Sequence, residues 1–101
     1  MSSSEVSFDR ALHAIADPTR RRILQALKPL EVRSKAGPTT ARLCAGDIEA
    51  RVRLSQPTIS HHMAILTKAG LVEATKQGQW RWYRRNEKAL RGIVKTLRGD
   101  L

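Results

Sequence analysis

The stretch from Asp47 to Gly70, DIEARVRLSQPTISHHMAILTKAG, limits the fold more than any other part of this 101-residue chain. Ile48 and Val52 lie one helical turn apart, and Ile59, Met63 and Leu66 recur at helical spacing, so the segment predicts two short helices, each with one apolar stripe. Arg53-Leu54-Ser55 joins them. Leu54 can plug the angle between the helices, and Ser55 can accept a hydrogen bond from the orphan amides of the next turn. Pro57 near the first turn removes a donor that the helix could not have used, so the second helix starts sharply. Its early exposed residues are Gln56, Thr58, Ser60 and His61. All four carry short or planar hydrogen-bonding groups, suited to base edges and phosphate oxygens rather than to covalent chemistry.

Charge points the same way. The formal net charge is +10, far from neutral for so short a chain, and implies a polyanionic partner. Lys and Arg outnumber Asp and Glu by 8 to 6 in residues 1–50 and by 11 to 3 in residues 51–101, so the excess lies in the half that holds the second helix of the pair and the C-terminal segment. The length predicts one domain, 1–101, with a thin core. A single cysteine, Cys44, excludes an internal disulfide, and no apolar run approaches the roughly 18 residues of a membrane span. MSSSEVSFDR lacks the pattern of a secretory signal, so the expected compartment is the cytoplasm, with no membrane partner.

In chain order, Met1 to Glu5 reads as a Ser-rich lead, after which Phe8, Ala11, Leu12 and Ile15 predict a first helix. Asp17-Pro18 ends it and starts a second, with Asp17 as N-cap and Pro18 at the first helical position. Ile23, Leu24 and Leu27 form its buried stripe. Arg20, Arg21 and Arg22 are successive and splay around the helix, which assigns at least one to structure. Leu30 to Ala41 contains Gly37-Pro38 and no sustained period, which predicts a loop, with Arg33 and Lys35 on it. Arg42-Leu43-Cys44 is expected to be a short strand before a helix starting near Asp47. Beyond the second helix of the central pair, Gly70 and Leu71 supply the cap and hydrophobic contact that close it.

Val72 to Thr75 and Trp80 to Arg84 are strand-like and joined through Lys76-Gln77-Gly78-Gln79, a hairpin with Lys76, Gln79 and Arg81 at or near its tip. Trp80 and Trp82 share one face and Arg81, Tyr83 and Arg85 the other; core or dimer packing is the expectation for the tryptophans. Asn86 is placed to cap a last helix with the stripe Leu90, Ile93, Val94 and Leu97.

Three motifs in this order carry a resemblance. HAIADPTRRRILQAL, LSQPTISHHMAILTKAGLV and VEATKQGQWRWYRRN resemble the first two helices, the helix-turn-helix and the β-wing of the ArsR/SmtB family of bacterial repressors. The resemblance implies a mainly α winged helix-turn-helix of about five helices with a small β-hairpin. It implies a homodimeric, sequence-specific repressor acting on an inverted-repeat operator in double-stranded DNA. The reading helix, about 55–69, would present Gln56, Thr58, Ser60 and His61, and the wing, 72–85, Lys76, Gln79 and Arg81. The first and last helices pack across a two-fold axis in that family, a role that falls here to Phe8, Leu12 and Ile15 with Leu90, Ile93, Val94 and Leu97.

The chain departs from the family in two informative places. In the helix-turn-helix, Glu49 sits where such motifs usually have a small residue and Arg53 where glycine is common in the turn, and a left-handed backbone at Arg53 costs roughly 1 kcal/mol. Metal-sensing relatives place paired cysteines before the turn or paired Asp and His ligands on the last helix. Here Gly46 stands in place of the second thiol and the last helix has no His, so neither a metal site nor any other cofactor is expected and the inducer is of unknown kind. His61 and His62 point about 100° apart on a helix, which makes His61 a DNA-facing donor and His62 a helix contact. No carboxylate pair, activated nucleophile or phosphate-binding glycine loop suggests an enzyme. The competing reading is a winged-helix module that docks protein or RNA, with its basic charge giving non-specific affinity.

Overall fold

The computed structural model describes residues 7–28, 43–99 and 101. The N-terminal lead, Arg42 and the loop bearing Arg33 and Lys35 lie outside the described residues. The order is α1 (Phe8–Ile15), α2 (Pro18–Ala26), β1 (Leu43–Cys44), α3 (Ala45–Val52), α4 (Gln56–Lys68), β2 (Val72–Gln77), β3 (Trp80–Arg85) and α5 (Glu87–Gly99). The strands form one antiparallel sheet in the order β1-β3-β2. This is the five-helix winged helix-turn-helix that the sequence predicts.

Local chemistry sets the boundaries. Asp17 caps α2 by accepting from the Arg20 N–H at 3.0 Å, and that bond, with the nearby Arg20 and His62 charges, holds its carboxyl below the ordinary value of 3.8. At α3 the helix starts two residues earlier than the sequence pattern suggests. Asp47 sits in its first turn, and its carboxylate reaches back to accept from the Cys44 thiol at 3.0 Å and the Cys44 N–H at 3.2 Å. Those two donors, the thiol foremost, lower the Asp47 pKa. Asn86 works in three directions: its Oδ1 accepts from Ala89 N–H, its Nδ2 donates to the Gly70 carbonyl and its N–H donates to the Leu71 carbonyl. The start of α5 is thereby tied to the end of α4.

Ile23 of α2 and Leu27 just after it, Ile48 of α3, Ile59, Met63 and Leu66 of α4, and Leu71 make the fully buried centre. From α1 the buried residues are Ala11 and Ala14, whose small side chains allow close approach, while Phe8, Leu12 and Ile15 are half-buried. Tyr83 is buried and Trp80 is 58% exposed, so the face of β3 that turns inward is the Arg81-Tyr83-Arg85 face. Trp80 therefore does not pack in the core. Trp82 is half-buried, with Cys44 of β1 opposite it.

The short helices end in an unusual way. The caps of α1 and α2 are right-handed, with no glycine, and their last carbonyls accept from arginine side chains of other elements. Arg20 donates to Ala14 O at 2.6 Å and His13 O at 3.2 Å, and Arg21 donates to Ile15 O at 2.7 Å. Arg85 and Arg51 donate to Leu24 O and Ala26 O at the end of α2, and Arg22 donates to Val52 O at the end of α3. All three arginines of the RRR run are thus engaged with carbonyls. Arg20 is 8% exposed, so Arg20→Met should take the guanidinium from Ala14 O, while His13 O keeps the Ala16 N–H, and cost about 1 to 3 kcal/mol, whereas Arg21→Ala, whose bond is exposed, should cost under about 1 kcal/mol. Urea unfolding of the two variants decides this, and equal losses would contradict it.

Candidate nucleic-acid interface

The α3–α4 pair meets through Leu54, half-buried against the core. Ile59, Met63 and Leu66 anchor α4, which leaves Gln56, Thr58, Ser60, His61, Ala64, Thr67 and Lys68 exposed. The four residues singled out on the reading helix therefore do reach solvent together. Ser55 does not cap α4 through its side chain; its Oγ lies 2.9 Å from Thr58 Oγ1. Two short hydroxyl side chains three residues apart satisfy each other there, which fixes the Thr58 rotamer. His62 points back instead, with Nδ1 3.3 Å from Arg20 NH1. That contact joins α4 to the guanidinium that closes α1.

The wing is longer than its sequence suggests. The ladder runs to Gln77↔Trp80, leaving Gly78 and Gln79 as a two-residue turn. Gly78 has φ +60° and Gln79 does not have positive φ, the signs of a type II′ turn, whose twist suits a long hairpin. Lys76 and Arg81 consequently lie on the ladder one rung below the tip, directly opposite each other. Gln79 is at the turn itself.

That pairing is unfavourable for the isolated protein. Like charges directly opposite on neighbouring strands destabilise a hairpin, and among the described residues neither Lys76 nor Arg81 has an acidic partner, in contrast to Arg84, which is paired with Glu73 at 2.7 Å. Arg81 also lines a cleft between wing and reading helix together with Ser60, Ala64, Thr67, Lys68 and Tyr83. Lys68 was not evident from the sequence as a site residue. The available signal was its place eight residues after Ser60, on the same exposed stripe of α4. The cleft offers two cations and the hydroxyls of Ser60 and Thr67, the chemistry of a phosphate path.

The residues proposed for a two-fold seam divide. Val94 and Leu97 are 53% and 40% exposed, Leu90 is half-buried, and Ile93 is turned into the chain's own core. α5 meets the core through Ile93, with Ala89 and Leu90 packed against it, while Val94 and Leu97 stay on the outside. A surface cleft follows its length, lined by Leu90 and Val94 with Arg85, Arg91, Lys95 and Arg98. No cluster of three or more His, Cys, Asp or Glu side chains able to hold a metal occurs among the described residues, and no described helix is long and apolar enough to cross a membrane.

Residues 15–75 match the family model of a helix-turn-helix domain. The chain is 40% identical over 90 residues to the transcriptional repressor SdpR of Bacillus subtilis, covering 89% of this chain and 88% of SdpR. Its fold superposes on an ArsR-like transcriptional regulator from Rhodococcus sp. RHA1 with a TM-score of 0.71 and 27% identity, covering 90% and 76% of the two chains. A homodimeric winged helix-turn-helix DNA-binding domain from Mycobacterium bovis shares the fold with a TM-score of 0.67 and 23% identity, covering 88% and 73%.

The wing geometry makes a test that involves no ligand. Lys76→Glu converts a repulsive cross-strand pair into an attractive one and should stabilise the protein by roughly 0.2 to 1 kcal/mol. A thermal melt at low salt would show a raised Tm that shrinks as salt is added. An unchanged or lowered Tm would mean that the two cations do not repel.

Proposed function

The chain belongs to the ArsR/SmtB family of helix-turn-helix transcriptional regulators, and from that premise we propose that it is a homodimeric, cytoplasmic repressor that binds an inverted-repeat operator. The observation that carries the reading is the unpaired Lys76 and Arg81 facing each other beside the exposed stripe of α4. An anion between the two cations would relieve their repulsion, and the phosphate backbone beside a reading helix would be that anion. Gln56, Thr58 and His61 would enter the major groove with the first turns of α4. Ser60, Lys76, Gln79 and Arg81 would hold the flanking backbone or the minor groove.

Dimerisation through α5 is supported by its surface. Its apolar stripe ends in exposed Val94 and Leu97, and the half-buried Phe8, Leu12 and Ile15 of α1 supply a second apolar surface. A second copy would cover both. The inducer would not be a metal held by the usual family ligands, because Cys44 has Asp47 and no second thiol beside it.

Two measurements test these points. Operator affinity should fall steeply with salt, by about 0.9 in log-log slope for each phosphate contacted. In a randomised half-site selection, Gln56→Ala should relax preference at one position in each half-site, at about 1 to 3 kcal/mol of discrimination. Lys76→Ala and Arg81→Ala should instead weaken all duplexes alike and lower the salt slope by about one per subunit. A selected motif unchanged by Gln56, Thr58 and His61 substitutions would overturn the reading surface, as would salt-independent binding. The protein-docking or RNA alternative predicts no preference for one duplex over bulk DNA. For assembly, Val94→Glu places a charge in the seam and should yield monomers by sedimentation with the fold intact; a wild-type monomer at micromolar concentration that still binds its operator tightly would remove the two-fold proposal.

A further inference from the structure

Three described residues have positive φ: Gly70, Gly78 and Arg53. Two of the three use the residue that adopts this conformation without cost. Arg53 does not. It has φ 56° and ψ 45°, a left-handed conformation in which its N–H closes the last turn of α3 on the Glu49 carbonyl at 2.9 Å. Glycine would make the same bond without steric penalty, because the bond uses only backbone atoms.

What Arg53 adds must therefore lie in its side chain, and within the protein that side chain has no described partner. Glu49 is four residues earlier, the spacing of a helical ion pair, yet among the described residues the ion pairs are Arg84–Glu73 and Arg85–Glu87. Glu49 lines the same groove as Arg53 but does not form an ion pair with it. The arginines nearby at Arg22 and Arg51 are engaged with carbonyls, whereas Arg53 stands exposed in the turn, on a surface groove shared with Gly46, Glu49, Ala50, Leu54 and Ser55. Two residues further on, Ser55 holds the N-terminal flank of α4, which begins at Gln56.

We propose that Arg53 is a phosphate clamp: its guanidinium grips the DNA backbone at the edge of the major groove that receives α4, and the strained turn is kept because it aims the guanidinium there. When the first turns of a reading helix enter the major groove, the preceding helix and turn cross the adjacent backbone. Arg53, exposed in that turn and without a partner among the described residues, would be the cation on that edge, as Lys76 and Arg81 would be on the wing side. With them it would bracket the groove and set how deeply α4 enters. The inference rests on the DNA-binding reading above.

The test uses three variants of the full chain, with thermal melts and operator binding over a salt series. Arg53→Gly removes both charge and strain, so Tm should stay equal to or rise above wild type. Operator affinity should nevertheless fall about tenfold or more at low salt, the worth of a charge-assisted bond. The salt slope should drop by about two per dimer, one phosphate in each subunit. Arg53→Gln keeps the strained backbone and loses the charge, so it should bind like Arg53→Gly without the gain in Tm. Arg53→Lys should retain most of the salt slope. If wild type binds its operator and Arg53→Gly and Arg53→Gln match it in affinity and slope, the clamp is wrong while the DNA-binding reading stands. If wild type shows no preference for any duplex, both fall together.

Discussion

The fold depends on guanidinium groups closing the ends of short helices. An α-helix leaves four carbonyls without partners at its C-terminus, and in α1 and α2, of eight and nine residues, those carbonyls are a large fraction of the backbone. Arg20, Arg21, Arg51 and Arg85 take them in turn, and Arg22 does the same for α3. Each bond also joins two elements. Arg85 links the base of the wing to α2, and its ion pair with Glu87 at 2.7 Å extends the link to α5. Arg20 links α1 to the reading helix through His62. A positively charged side chain suits this task because the helix dipole leaves partial negative charge at the same end.

The basic excess therefore has two populations with opposite relations to stability. One holds the fold together. The other, Arg53 in its left-handed turn and Lys76 facing Arg81, sits where the protein alone would be better off with glycine or with a carboxylate. These unfavourable choices gather around the exposed face of α4. Features that cost stability and cluster on one surface indicate a role for that surface in binding, and the sign of the missing partner is set by the charge of the groups.

How much was legible in the sequence depended on how local each interaction is. Asp17 as a cap, Asn86 at the start of α5, Gly70 and Gly78 at turns, and the stripes of α3 and α4 are set within a few residues of one another, and the structure has them where the pattern places them. The arginine bonds were not legible, because Arg22 meets a carbonyl 30 residues away and Arg85 one 61 residues away. Alternation along β3 left its inward face open, and burial of Tyr83 with exposure of Trp80 settles it. Ser55 matched an N-cap by type, yet the Thr58 hydroxyl within the first turn of the helix competes for it. Ile93 fitted the seam stripe equally well as the core, and its burial assigns it to the core.

The most direct test of the two-population view is hydroxyl-radical footprinting on the operator recovered by selection, with wild type and with Lys76 and Arg81 both changed to Ala. The expected result is protection symmetric about a dyad, with the two patches about 10 to 10.5 base pairs or a multiple apart. In the double variant the backbone under the wings should become reactive while the protection beside α4 persists and the melting temperature stays equal to or above wild type. A single patch without a dyad, or protection that the double variant leaves whole, would contradict it.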